Sequence, residues 1–116
     1  MTTGDELLRV LAALDNPHRL RILAALADER DYVSSLAREL GISRPLLQVH
    51  LRKLVAAGLV AGRAEVSPDG RAMKFYEIAP FRLEVTPDIV KRAVRTLTAP
   101  EDGAGDRKSG ERKEDR

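Results

Sequence analysis

Residues 41–60 constrain the fold of this chain most, because a turn, a helix start, an amphipathic repeat and a helix stop follow one another within them. Leu47, Leu51 and Leu54 recur at the spacing of one helix face, which predicts that this face packs inward. The opposite face is left polar and basic. The segment therefore predicts an amphipathic helix over about residues 44–57.

Both ends of this helix carry local signals. Ser43 can accept a hydrogen bond from the first turn, and Pro45 is tolerated in that turn because no N–H is needed there. Gly58 can adopt the left-handed conformation that commonly follows a helix end. The polar side chains that remain for the outer face are Arg44, Gln48, Arg52 and Lys53.

Three further helices are predicted before this one by apolar residues at helical spacing, over residues 3–14, 17–29 and 34–40. Thr3 and Glu6 have the spacing of a capping box at the start of the first helix. We expect a short polar connection between the second helix and the third.

Beyond Gly58 the apolar period changes from that of a helix to that of a strand. Two extended runs, 59–66 and 72–78, flank a Pro-Asp-Gly sequence at residues 68–70. Proline presets φ and glycine accepts a positive φ, so this sequence favours a tight turn. The pattern predicts a β-hairpin.

The C-terminal region is predicted to hold one more extended segment, one helix and a tail. Phe81, Leu83 and Val85 alternate with polar residues, which is typical of a short strand. A helix start and an apolar stripe predict a helix over about residues 87–98. Apart from Pro100, residues 99–116 hold no apolar side chain larger than alanine, so we expect a disordered charged tail.

Composition narrows the class of protein. A length of 116 residues indicates one domain, and 43% apolar residues with only 3% aromatic residues indicate a modest aliphatic core. The chain has no cysteine, which excludes disulfides, thiolate metal sites and cysteine nucleophiles. Because no catalytic set or glycine-rich phosphate loop is present, we expect no enzyme. Without a long apolar run or a secretory signal, we expect a soluble, cytoplasmic protein.

The net charge is only +2, but basic residues are concentrated in the middle of the chain. Residues 42–74 carry six basic and two acidic side chains, a local charge of +4. A phosphate backbone responds to such a local excess more than to the total charge. The six basic residues are Arg44, Arg52, Lys53, Arg63, Arg71 and Lys74.

Three segments, in order, resemble motifs of the ArsR-type regulators of bacteria. Residues 15–23 resemble their opening motif, residues 35–43 their first helix-turn-helix helix and turn, and residues 50–60 the end of their recognition helix. The resemblance covers roughly residues 5–79. It implies a mainly α fold class with a small β-hairpin, in which a winged helix-turn-helix domain with terminal dimerisation helices occupies residues 1–98.

The resemblance implies a sequence-specific transcriptional regulator, a homodimeric repressor that binds a palindromic operator in double-stranded DNA. Gln48 and Arg44 suit the base edges of the major groove, whereas Arg52 and Lys53 suit phosphates. The hairpin would be the wing, over about residues 59–79, beside the recognition helix. The predicted DNA-binding residues are Ser43, Arg44, Pro45, Gln48, Val49, Arg52, Lys53, Arg63, Arg71 and Lys74.

A dimer interface is predicted on the first and last helices. These helices have more apolar surface than one small core requires, and specific DNA binding normally uses two half-sites related by a twofold axis. In the family that the chain resembles, the terminal helices form this interface. The predicted interface residues are Leu7, Leu11, Leu14, Ile89, Ala93, Val94 and Leu97.

The chain also departs from the metal-sensing members of that family. Residues 31–35 lack the Cys-x-Cys pair of those members, and the last helix has no histidine, so we expect no metal and no other cofactor. The sequence contains no recognisable binding site for an effector. The alternative class is a winged-helix module that binds another protein without specific DNA binding, which the local basic charge disfavours.

We expect structural roles for four polar residues near the predicted core. Arg19 and Arg21 are expected to pair with Asp15 or Asp28. His50 lies at the edge of the apolar stripe and is expected to pack or to cap rather than to contact a base. His18 is expected to be exposed in a first helical turn.

Overall fold

The computed structural model describes residues 2–98, which form five helices and three strands. The predicted disordered tail lies outside these residues. The helices are α1 (Gly4–Leu14), α2 (Pro17–Asp28), α3 (Val33–Leu40), α4 (Arg44–Ala56) and α5 (Pro87–Val94). The strands are β1 (Asp31–Tyr32), β2 (Val60–Val66) and β3 (Ala72–Ile78). The described residues divide into two compact units, one of residues 8–83 and one of residues 2–7 and 84–98.

The core of the larger unit is aliphatic, as the composition predicts. Ile22 on α2, Leu36 on α3 and Leu51 on α4 are at most 1% exposed. Burying one such side chain stabilises the fold by roughly 1.5–3 kcal/mol, so the inner faces of these helices carry much of its stability. The core residues are Ala13, Ile22, Leu23, Leu26, Leu36, Ala37, Leu47, Leu51, Leu54, Leu59, Val60 and Tyr76.

The end of α4 confirms the expected helix stop. Gly58 has a φ of +79°, a left-handed conformation that side chains with a Cβ rarely adopt. Its N–H donates to the carbonyl of Val55, and the N–H of Leu59 donates to the carbonyl of Leu54. This pair of hydrogen bonds satisfies two carbonyls that would otherwise lack partners, and it directs the chain from α4 into β2.

The sheet is antiparallel, with strand order β1-β3-β2. β2 and β3 form the predicted hairpin, in register from Val60 opposite Ile78 to Val66 opposite Ala72. In its turn the N–H of Gly70 donates to the carbonyl of Ser67. β1 was not expected: the predicted polar connection pairs with β3 over two residues, and its length leaves no period to detect.

The smaller unit joins the first turn of α1 to the end of α5. The predicted capping box is confirmed, since Thr3 Oγ1 accepts from the N–H of Glu6, and Glu6 Oε1 accepts from the N–H of Thr3. A Cβ on Gly4 would lie 2.2 Å from the carbonyl oxygen of Ala93, so only glycine permits this approach. The N–H of Gly4 donates to Thr96 Oγ1.

Two C-terminal predictions are wrong. The last helix ends at Val94 and not near residue 98. Beyond Val94 the backbone N–H groups of Arg95, Thr96 and Leu97 donate to the third residue back and not to the fourth. The segment with Phe81 and Val85 forms no strand among the described residues. Pro80, directly before it, has no N–H to continue a strand ladder, and both apolar side chains are exposed.

Candidate nucleic-acid interface

α4 separates its side chains into a buried face and an exposed face. Leu47, Leu51 and Leu54 are buried in the core, as predicted from their spacing. Their burial fixes the rotation of the helix about its axis, so the side chains on the opposite face must point outward. The exposed residues include all the predicted contacts of this helix: Arg44, Pro45, Gln48, Val49, Arg52 and Lys53.

The exposed face of α4 carries basic side chains, and no acidic residue of the helix neutralises their charge. Its thirteen residues contain two arginines and one lysine and no aspartate or glutamate. Within residues 2–98 the salt bridges join Arg30 to Glu65 and Arg63 to Glu77, and none involves α4. The three cations of α4 are therefore available to an external anion.

The start of α4 is set by its cap. Ser43 Oγ accepts from the N–H of Leu46 at 3.3 Å, and Pro45 occupies the first turn, both as predicted. Ser43 is exposed. This places Ser43 and Arg44 together at the N-terminal end of the exposed face, where the helix dipole favours negative charge.

The predicted basic residues of the hairpin point to two different faces. Arg63 is the register partner of Phe75, whereas Lys74 belongs to the alternate set of residues with Tyr76, a core residue. Side chains alternate between the faces of a strand, so Arg63 and Lys74 lie on opposite sides of the sheet. The ammonium of Lys74 is 5.6 Å from the centre of the Tyr76 ring.

An open groove of about 670 Å³ lies between the hairpin turn and the starts of α3 and α4. Arg44, Arg71 and Lys74 all line it, so residues distant in sequence meet in one basic depression. Asp69 lines it too, and the hydrogen bond from Ser67 lowers the pKa of this carboxyl. The groove is wide enough to hold a phosphate group and retains an excess of positive charge.

Most of the residues that line this groove were not predicted as contacts, among them Tyr32 and Ser34. They are placed there by the pairing of β1 with β3, where Tyr32 is opposite Phe75. A two-residue strand has no local pattern, so no sequence signal could have indicated that they lie near Arg71 and Lys74.

Of the three predicted basic residues of the hairpin region, Arg71 and Lys74 line the groove and Arg63 does not. Its guanidinium donates a 2.7 Å hydrogen bond to Glu77, which raises the pKa of Arg63. Arg30, which directly precedes β1, donates to Glu65 of the same hairpin and lies 4.4 Å from the centre of the Phe75 ring. For Arg63 to reach a phosphate, its ion pair with Glu77 has to open.

The expectation from the sequence is confirmed for His50 but not for Arg19. His50 is 6% exposed and packs on the inner face of α4, as expected for it. The expectation that Arg19 pairs with an aspartate is wrong: its guanidinium donates to the carbonyls of Ala12 and Ala13 and contacts His50. Asp15 and Asp28 are exposed, whereas these carbonyls at the end of α1 need donors.

The predicted interface residues on the terminal helices differ in exposure. Leu7 and Ala93 are both 7% exposed, and Leu14 packs against the core of its own protomer. Leu11 is exposed on α1, and Val94 and Leu97, in α5 and just after it, are exposed in the smaller unit. Three further apolar residues were not predicted as interface residues but are also exposed. They are Leu8 on α1, Val90 on α5 and Val85 just before α5.

Comparison with known proteins gives this geometry a context. A family model described as "Bacterial regulatory protein, arsR family" matches residues 16–61. An uncharacterized HTH-type transcriptional regulator of Methanocaldococcus jannaschii is 38% identical over 80 residues, which cover 69% of this chain and 83% of that protein. The chain belongs to the ArsR family of transcriptional regulators.

Solved structures are similar to this ArsR-family chain. A homodimeric winged helix-turn-helix DNA-binding domain from Mycobacterium bovis, a possible ArsR-family regulator, is 28% identical with a TM-score of 0.58, covering 78% of this chain and 74% of that chain. The transcriptional repressor BigR from Xylella fastidiosa is 26% identical with a TM-score of 0.55, covering 66% of this chain and 72% of that chain.

Membership of the ArsR family confirms the predicted fold class and the general function. The fold is a winged helix-turn-helix. The protein is a DNA-binding transcriptional regulator and not an enzyme. Among residues 2–98, no helix has both the length and the apolar character that crossing a bilayer requires.

Proposed function

We propose that this ArsR-family protein is a homodimeric repressor that binds a palindromic operator in duplex DNA through the exposed face of α4. The observation that carries this proposal is that α4 buries one face in the core while its other face presents Arg44, Gln48, Arg52 and Lys53 with no acidic neighbour on the helix. A helix of this kind fits the major groove, where it can contact both bases and phosphates.

The positions along α4 divide these contacts by type. Arg44 and Gln48 are one helical turn apart and lie in its first half, and the N-terminal residues of a recognition helix are the ones that usually meet base edges. Arg52 and Lys53 lie further along and are assigned to phosphates, together with the groove cations Arg71 and Lys74.

A homodimer is supported by the exposed apolar residues of the terminal helices. Val94 is 58% exposed, Leu97 is 39% exposed and Leu11 is 38% exposed. Covering these side chains is favourable at roughly 25 cal/mol per Å² of apolar surface. The similar Mycobacterium bovis domain is homodimeric, and the similar Xylella fastidiosa protein is a repressor. A dimer bound at a promoter would block polymerase sterically.

The assignment of base and phosphate contacts can be tested on duplexes selected from random DNA by the full chain. We expect Gln48→Ala to lose discrimination at one base position in each half-site, by about 1–3 kcal/mol, because a bidentate contact to a base is removed. We expect Lys53→Ala to weaken binding to all duplexes alike and to lower the salt slope by about 0.9 per protomer.

The two variants serve as controls for each other, since both residues are exposed on α4. Exchanged results would reverse the two roles, and unchanged binding by both variants would remove α4 from the interface. Failure of selection to enrich any duplex would favour the protein-binding alternative. Transcription from a promoter that carries the selected duplex separates a repressor from an activator.

The ion pair of Arg63 provides a prediction of tighter binding. Glu77→Gln keeps the side-chain shape but removes the charge that holds Arg63, so we expect stronger DNA binding and a salt slope steeper by about 0.9 per protomer. Glu65→Gln is the matched control, because it removes the same charge from the same hairpin but releases Arg30, which is not a predicted contact. Equal effects of the two variants would show that the lost charge, and not Arg63, is responsible.

A further inference from the structure

Arg19 joins three helices through one buried guanidinium. The residue lies on α2 and is 8% exposed. Its Nε donates to the carbonyl of Ala13 at 2.7 Å and its Nη2 to the carbonyl of Ala12 at 3.1 Å, both in the last turn of α1. Its Nη1 lies 3.1 Å from Nδ1 of His50 on α4. The planar fork of an arginine suits three acceptors that lie in different directions.

The contact with Arg19 determines the protonation state of His50. A guanidinium only donates hydrogen bonds, so Nδ1 of His50 must accept and the imidazole must be neutral with its proton on Nε2. Nε2 is buried and has no hydrogen-bond partner among the described residues. His50 thus lies on the inner face of α4 although its Nε2 has no hydrogen-bond partner there. This cost points to a role for Nδ1, the nitrogen that contacts Arg19.

We propose that Arg19 is a positioning residue for DNA binding, which acts through His50 to fix α4 against α1 and α2, and that protonation of His50 breaks this link and weakens operator binding. The inference rests on the proposed function. His50 directly follows Val49 and lies two residues after Gln48, so a movement of its side chain alters the exposed face of the same helical turn.

The surroundings of His50 all oppose a positive charge on it. α2 presents Arg19 and the ring of His18, whose centre is 5.3 Å from that of His50, and α4 presents Lys53. α1 contributes the carbonyls of Ala12 and Ala13, and both accept hydrogen bonds from Arg19. Protonated His50 would direct an N–H of its own at the N–H of Arg19, so the hydrogen bond would be replaced by repulsion.

The direction of the pH effect follows from these surroundings. Burial first, and then the charge of Arg19, lower the pKa of His50 from its ordinary value of 6.5. The native state therefore binds fewer protons than the unfolded state below that pH. The contribution of neutral His50 to the free energy of unfolding is fully present above pH 6.5 and is lost as the pH falls through the lower, native pKa.

Two substitutions of His50 separate positioning from packing. His50→Gln keeps an acceptor for Arg19 but does not titrate, whereas His50→Leu keeps apolar volume and removes the acceptor. At about pH 7.5, where His50 is neutral, we expect His50→Gln to bind the selected duplex nearly as the unmodified protein does, and His50→Leu and Arg19→Lys to bind about tenfold more weakly. Far-ultraviolet circular dichroism verifies that each variant is folded at the temperature of the assay.

The pH profile is the readout that a merely structural role would not change. From about pH 7.5 down to the lowest pH at which circular dichroism shows the protein to be folded, at constant salt, we expect the unmodified protein to lose up to about tenfold in affinity per pH unit once His50 titrates, and His50→Gln to lose none. His18→Gln is the control for the neighbouring ring and is expected to keep the pH dependence. Full binding by His50→Leu, or an equal loss by His50→Gln on acidification, would overturn the proposal.

Hydrogen exchange of the α4 amides tests the same link without DNA. We expect faster exchange at the lowest pH at which the protein stays folded than at about pH 7.5, after correction for intrinsic rates, in the unmodified protein but not in His50→Gln. Identical corrected rates in the two proteins would overturn the link. If no duplex is bound at all, the proposed function fails, whereas the exchange result still decides whether Arg19 and His50 position α4.

Discussion

Leu51→Ala is expected to lower the free energy of unfolding by about 2–5 kcal/mol. Leu51 lies on the inner face of α4, is 1% exposed and belongs to the core of the larger unit. Its truncation removes buried methyl groups and leaves a cavity between helices that can close only in part. Because small domains are stable by only about 5–15 kcal/mol, this single change removes a large fraction of the stability.

Leu46→Ala is the matched control for this prediction. Leu46 is the same residue type on the same helix, but it is 39% exposed, so we expect a change within about 0.5 kcal/mol. Urea denaturation followed by circular dichroism measures both variants. Equal losses of stability would mean that the burial of Leu51 does not describe the protein in solution.

Val94→Glu is expected to convert the proposed homodimer to a monomer and to lower the affinity for a two-site operator by about 10²–10⁴-fold. Val94 is 58% exposed within its protomer, so a glutamate there leaves the folded chain in contact with water. In a dimer interface the same carboxylate would be buried without a partner, which is costly. Once the protomers separate, the second half-site no longer benefits from the high effective concentration that a dimer provides.

Leu20→Glu is the matched control for the dimer prediction. Leu20 is 53% exposed on α2 and is not a predicted interface residue, so the same charge is added to a surface of similar exposure. Analytical ultracentrifugation at micromolar concentration, followed by titration of the operator, measures both variants. A dimeric Val94→Glu protein with unchanged affinity would exclude Val94 from the interface.

The elements that local chemistry encodes were predicted well. The Thr3 and Glu6 capping box, the stop at Gly58 and the hairpin turn at Gly70 are all present in the structure. Each depends on residues at most six positions apart, so a single sequence contains everything needed to find it. The spacing of Leu47, Leu51 and Leu54 likewise revealed which face of α4 is buried, because a helix maps spacing directly onto faces.

The elements that depend on distant partners were predicted less well. The alternation around Phe81 has the period of a strand, but no described strand pairs with it. β1 has almost no pattern, yet it exists because β3 offers it a partner. The last helix is shorter than predicted, and Thr96, just beyond its end, contacts Gly4, which lies 92 positions away in the chain.

The sequence alone determined the order of the elements, the buried face of α4 and the family to which the chain belongs, because these follow from local preferences and short motifs. The tertiary structure decided which polar groups meet. Arg44, Arg71 and Lys74 line one groove. Arg63 pairs with Glu77 on the other face of the hairpin, and Arg19 contacts His50. Such meetings depend on strand register and helix packing, in which residues far apart in the chain become neighbours.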